Sequence, residues 1–201
     1  MRVYRNSCTL WMGILLVLAL LPAPTLANDA VLYEKASAWG TIVVTDEGNN
    51  MRALRFGRDG VRQSLVNLDD AEYLGLSYVL VALAGLALSM EPRRFLIIGL
   101  GSGTLPAFLR KHYPDADLDA VDINPDVAYA AKHYLGFRED QRMRIHIADG
   151  RKFVEAVRQP YDVIFLDAFG ADAVPAHLTT QEFLAAVRRA VRTDGVVISN
   201  I

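Results

Sequence analysis

The sequence is almost without cysteine, and its one example, Cys8, lies close to the N-terminus. A chain processed after residue 27 therefore has no disulfide and no thiolate metal ligand, an absence that does not by itself identify a compartment. Basic runs are missing as well. The formal charge is −2, and without Arg2 and Arg5 it becomes −4, so nucleic acid is not an expected partner. The four histidines, His112, His133, His146 and His177, include no pair at metal-ligand spacing, and no metal is expected. No internal repeat or low-complexity tract is visible. What is present is apolar. Hydrophobic residues make up 52% of the 201 positions and charged ones 22%, ample for one domain with a real core.

The N-terminus reads as an export signal over residues 1–27. Arg2 and Arg5 form a positive n-region, Leu10–Leu21 an apolar h-region, and Thr25-Leu-Ala27 supplies small residues for cleavage. Export to the periplasm or the medium is the expectation. The alternative is an uncleaved anchor and membrane association through this segment, because Thr9–Ala27 carries no charge and is nearly long enough to span a bilayer. Pro22 and Pro24 favour cleavage. A second uncharged run, Tyr73–Met90, predicts a helix buried between the main sheet and the N-terminal segment.

Residues 28–70 are expected to form a small β-hairpin appendage. Thr41-Ile-Val-Val-Thr45 and Met51–Phe56 flank the turn sequence Glu47-Gly-Asn-Asn50, and Gly57-Arg-Asp-Gly60 is a second turn. Residues 71–201 change rhythm. Strands are predicted at 94–99, 117–122, 143–148, 161–167 and 195–200, with helices at 103–112, 125–135, 150–157 and 179–191. Pro125 suits a first helical turn, and Thr180 with Glu182 a helix start. Such βα alternation implies an α/β fold: a parallel sheet with helices on both faces. The sequence stops directly after its fifth predicted strand of this sheet, and a continuation with a final hairpin is expected.

The richest segment is Arg94–Asp122. An apolar strand runs into Gly99, Gly101 and Gly103, a helix follows, and the next strand ends on Asp122. Glycines after a strand let the backbone approach a ligand, and the helix start presents free N–H groups. An acid about 20 residues on, at the tip of the neighbouring strand, is placed to hold a ribose. Thr104 in place of a further glycine departs from the dinucleotide pattern and is similar to the loop of S-adenosylmethionine-type enzymes.

Several motifs then converge. Leu32-Tyr-Glu-Lys35 with Ile42-Val-Val44, Asp59-Gly-Val-Arg-Gln63, Leu96–Gly103, Val121-Asp-Ile-Asn-Pro125, Ala148-Asp-Gly150 and Tyr161–Asp167 resemble, in order, segments of the spermidine synthase family of polyamine aminopropyltransferases. The likeness covers nearly all of the chain after the signal and is closest to a divergent bacterial branch. It implies a Rossmann-like parallel sheet of the S-adenosylmethionine-methyltransferase type and a sulfonium co-substrate, decarboxylated S-adenosylmethionine or S-adenosylmethionine itself, held by Gly99, Gly101, Ser102, Gly103, Asp122, Asp149 and Gly150. Asp122 would bind the ribose hydroxyls and Asp149 the adenine amino group. Asp167 would be the catalytic acid–base group. Gln63, Tyr78 and Asp172 would contact the tails of the substrates. A small-molecule amine is the implied acceptor, and a homodimer the expected assembly.

Departures from the family pattern are equally specific. Ser102 stands where the family has an acid for the donor's ammonium. Asp167-Ala-Phe-Gly-Ala-Asp172 is two residues longer than the family's D-S-S-D. Gly40 replaces a glutamine, and Tyr78-Val-Leu80 replaces Y-H-E. Three functions stay open at this point: aminopropyl transfer, methyl transfer to a small molecule, and non-catalytic binding of a nucleoside or polyamine by an exported protein.

Overall fold

The structure is a computed structural model that describes residues 30–170 and 173–200. The signal segment and Asp172 lie outside the described residues. Four strands open the chain as an antiparallel meander: β1 (Ala30–Ser37), β2 (Gly40–Asp46), β3 (Met51–Phe56) and β4 (Arg62–Asn67), paired in sequence order. Ile42 and Val44 of β2 pair with Phe56 and Leu54 of β3, and the β-branched and aromatic members of these pairs suit a pleated surface. The β2–β3 turn is held by Glu47, whose carboxylate accepts from Arg55 and Arg62.

The second sheet has five parallel strands in the order β7-β6-β5-β8-β9. They are β5 (Arg94–Ile98), β6 (Asp117–Asp122), β7 (Met143–Ile147), β8 (Tyr161–Leu166) and β9 (Val191–Ser199). Helices α2 (Thr104–His112), α3 (Pro125–Tyr134), α4 (Gly150–Glu155) and α5 (Gln181–Ala190) connect them. The near-continuous apolar run of β5 reflects burial on both faces, as parallel strands require. Phe95 and Ile97 join a core with α2, α3 and the meander's Ile42, Val44 and Leu54. Leu96 and Ile98 face the other way, onto Val154 of α4 and Phe183 and Val187 of α5. The meander therefore shares the core of the parallel sheet.

Two details differ from the sequence reading. The Tyr73–Met90 run forms α1 (Ser77–Ala84) and a 3-10 turn (Gly85–Leu88), but the segment is packed on one side only. Val79 is buried, while Val81 is 75% and Met90 95% exposed. The helix is short, and the 3-10 turn after it lies beside the edge strand β9, where Gly85 meets Ile198. Strand β9 also begins at once where α5 ends. Tyr161 pairs with Val191 and Val163 with Val196, so the intervening residues of β9, including Asp194 and Gly195, form an irregularity within the strand.

Candidate active site

All functional candidates on the parallel sheet lie just past the carboxyl ends of its strands, where ligands collect in open α/β folds. The register of the tips is fixed beyond the strands by backbone bonds. Gly99 N–H donates to Val121 O, Asp167 N–H to Ile98 O, Ala148 N–H to Asp122 O and Asn200 N–H to Leu166 O. A cavity of about 230 Å³ opens above these tips. Its floor includes Gly99, Leu100, Gly101, Ser102, Asp122, Asp149, Gly150 and Asp167. Its remaining walls come from the meander (Trp39, Phe56, Gln63, Ser64), from α1 (Tyr78, Val79), and from the segment after β8 (Phe169, Pro175, His177).

Gly99 cannot carry a side chain. It has φ +103°, and a Cβ there would sit 2.2 Å from the carbonyl oxygen of Asp167. The glycine loop thus rests directly on the backbone of the strand tip that carries the candidate acid. Ser102 is only 3% exposed. Its Oγ lies 2.6 Å from Thr104 Oγ1, and its N–H donates to Ser64 Oγ at 3.1 Å.

Asp122 accepts from two backbone donors, Leu100 N–H at 3.0 Å and Asn124 N–H at 2.9 Å. Burial pushes its pKa above the ordinary aspartate value, and those two N–H groups pull it the other way. Asp149 caps α4 by accepting from Lys152 N–H at 2.9 Å. Its second oxygen lies 3.1 Å from His177 Nε2. Asp167 accepts from Asn200 Nδ2 at 2.8 Å and from the Tyr78 hydroxyl at 3.2 Å. Desolvation raises its pKa, against the opposing pull of Asn200 and Tyr78. The Tyr78 hydroxyl is pushed up by burial and by the adjacent carboxylate.

The structure brings Gly99, Gly101, Ser102, Asp122, Asp149, Gly150, Asp167, Gln63 and Tyr78 to one cavity. Gly103 supports the loop from behind, against the Phe137 ring, rather than lining the cavity. Asp172 is not among the described residues. Sequence reasoning missed Asn200, Ser64 and Trp39. Asn200 had a signal, as a polar residue at the tip of an apolar strand beside the candidate acid. Trp39 and Ser64 had none, because nothing local announces that the meander will close over distant strand tips.

Three carboxylates above a glycine loop suit an adenosyl group. Two of them lie past β6 and β7, on one side of the loop, and the third past β8, on the other. The spermine/spermidine synthase domain family model matches residues 77–200. A polyamine aminopropyltransferase of Vibrio vulnificus is 34% identical in an alignment 191 residues long that covers 92% of this chain and 64% of the relative. This chain thus spans slightly less than two thirds of that relative's length. A solved spermidine synthase in complex with the transition-state analogue AdoDATO superimposes with a TM-score of 0.70 and 26% identity, over 84% of this chain and 57% of that one. Human methyltransferase-like protein 13 in complex with SAH gives a TM-score of 0.57 and 31% identity, over 61% of this chain and 63% of that one.

Proposed function

This chain belongs to the spermine/spermidine synthase family, and we propose that it is a transferase that moves an aminopropyl group from decarboxylated S-adenosylmethionine to the nitrogen of a small polyamine-type amine. The observation that carries the proposal is the shared cavity: a glycine loop, Asp122 and Asp149 for the adenosine, and a desolvated Asp167 beside them. The acceptor nitrogen attacks the carbon next to the sulfonium. The carbon–sulfur bond breaks, its electron pair stays on sulfur as a neutral thioether, and the nitrogen sheds a proton. An alkylammonium with a pKa near 10 must lose a proton before it can attack, which costs about 4 kcal/mol at neutral pH. Asp167 orients that ammonium and takes the proton. Its raised pKa brings it closer to the value an efficient base needs. Tyr78 and Asn200 hold its two oxygens in place.

A second reading, methyl transfer from intact S-adenosylmethionine, is favoured by Ser102, because no carboxylate stands there to attract an ammonium or repel a carboxylate. The test is calorimetry against 5′-methylthioadenosine and S-adenosylhomocysteine, with turnover followed in parallel as polyamine product and as methyl transfer. Polyamine product supports the first reading, and methyl transfer alone the second. Thioether binding with neither activity leaves a binding protein. No adenosyl ligand bound at millimolar concentration removes the co-substrate altogether. Export through residues 1–27 is part of the same proposal, and N-terminal mass spectrometry of the exported form should find Asn28 first.

A further inference from the structure

The meander reaches the glycine loop through one side chain. Ser64 of β4 is buried, and its Oγ accepts from Ser102 N–H at 3.1 Å. On the loop itself, a Cβ built on Gly101 would meet the same oxygen at 2.8 Å, so loop and strand are in close contact there. Gln63, one residue earlier, lines the same cavity. A second pin lies nearby, where Asn124 Nδ2 donates to Ser37 Oγ at 3.3 Å beyond the strand that carries Asp122. Both segments that are to hold the adenosine are thus tied to the N-terminal sheet.

We infer that Ser64 is a positioning residue for the donor: its hydroxyl fixes the glycine loop in the shape that receives the adenosyl group. The inference rests on the adenosyl-donor reading above and adds a residue to it. Without Ser64 Oγ, the Ser102 N–H has no acceptor in its present place. A free loop can shift to give that N–H to water, but a loop held around a ligand cannot. The penalty therefore falls on binding. The unpaired group is expected to weaken the ligand by about tenfold or more, the factor that corresponds to ~1.4 kcal/mol. Chemistry at Asp167 is not touched, so the loss belongs in donor KM rather than kcat.

The experiment is titration calorimetry of the full chain with 5′-methylthioadenosine, for wild type, Ser64→Ala and Ser64→Thr. Ser64→Ala should bind about tenfold more weakly, and Ser64→Thr, which keeps the hydroxyl, within about twofold of wild type. Should Ser64→Ala fail to fold, Ser64→Cys, whose thiol is a much weaker acceptor, should bind more weakly than Ser64→Thr. Unchanged affinity in Ser64→Ala, or equal losses in Ser64→Ala and Ser64→Thr, overturns the role of the hydroxyl while the donor reading stands. Wild-type protein that binds no adenosyl thioether overturns both.

Discussion

Replacing Asp167 by asparagine should move stability and activity in opposite directions. The Asp167 oxygens accept from Asn200 Nδ2 and from the Tyr78 hydroxyl. An asparagine keeps the first bond by turning its carbonyl to Asn200. Its amide then faces Tyr78, whose hydroxyl reverses and accepts. No polar atom is left unpaired. The carboxylate that was removed has its pKa raised by desolvation. For such a group the stabilising contribution is complete below the unfolded-state pKa and is lost as pH rises through the folded-state pKa. Ionisation of Asp167 within the fold is therefore a cost that the neutral amide does not carry. The expected melting midpoint of Asp167→Asn is equal to or above wild type at pH 7, and the gap closes as pH falls into the ordinary carboxylate range. Turnover should drop 10²–10⁴-fold, about 2.7–5.4 kcal/mol at the transition state, with thioether affinity little changed. Thermal melts across pH, beside single-turnover product formation, check both halves. A lower midpoint at pH 7 would show that the carboxylate serves the fold, and undiminished transfer would show that the acid has been assigned wrongly.

Asp122→Asn should behave differently, because both its partners are backbone N–H groups that cannot reverse. One donor must face the new amide, so this variant should be less stable than Asp167→Asn by about 1–3 kcal/mol in urea titrations and should lose thioether binding. Gly99→Ala combines a φ of +103° with a Cβ 2.2 Å from a backbone oxygen. A loss of about 2–4 kcal/mol by the same titration is expected, and a loss below ~1 kcal/mol would contradict the contact. Ser102→Asp should shift the ratio of kcat/KM values toward the decarboxylated donor by about tenfold, and a shift toward the intact donor would place the tail elsewhere.

Much of the α/β half was legible because its signals are local. The apolar run of β5, Pro125 at the start of α3 with Asn124 as its cap, and Thr180 capping α5 each act within a turn of chain. The strand tips follow from those boundaries, so Asp122, Asp149 and Asp167 fall on one side of the sheet once the strands are placed. The meander was harder. Alternation marked its strands, but their docking depends on contacts such as Arg52 with the Tyr134 carbonyl, 82 residues away. Trp39 and Ser64 became site residues only through that docking. The Tyr73–Met90 segment misled for a related reason. Hydropathy measures what a segment is able to bury, and the exposure of Val81 depends on what the fold lays beside it.

The contact between Gly99 and the backbone of Asp167 also bears on how this scaffold can diversify. The strand tips form one rigid floor in which the donor loop and the acid touch through main chain, so neither tolerates change without disturbing the other. The residues above them obey no such restriction. Phe56 and Gln63 reach the cavity from strands of the antiparallel sheet, Trp39 from its β1–β2 turn, and Phe169 from the segment after β8. Selection for a new acceptor, in nature or in a mutant library, should accumulate in this roof and leave the floor unchanged. A library confined to these four positions samples acceptor range while the reaction chemistry stays fixed.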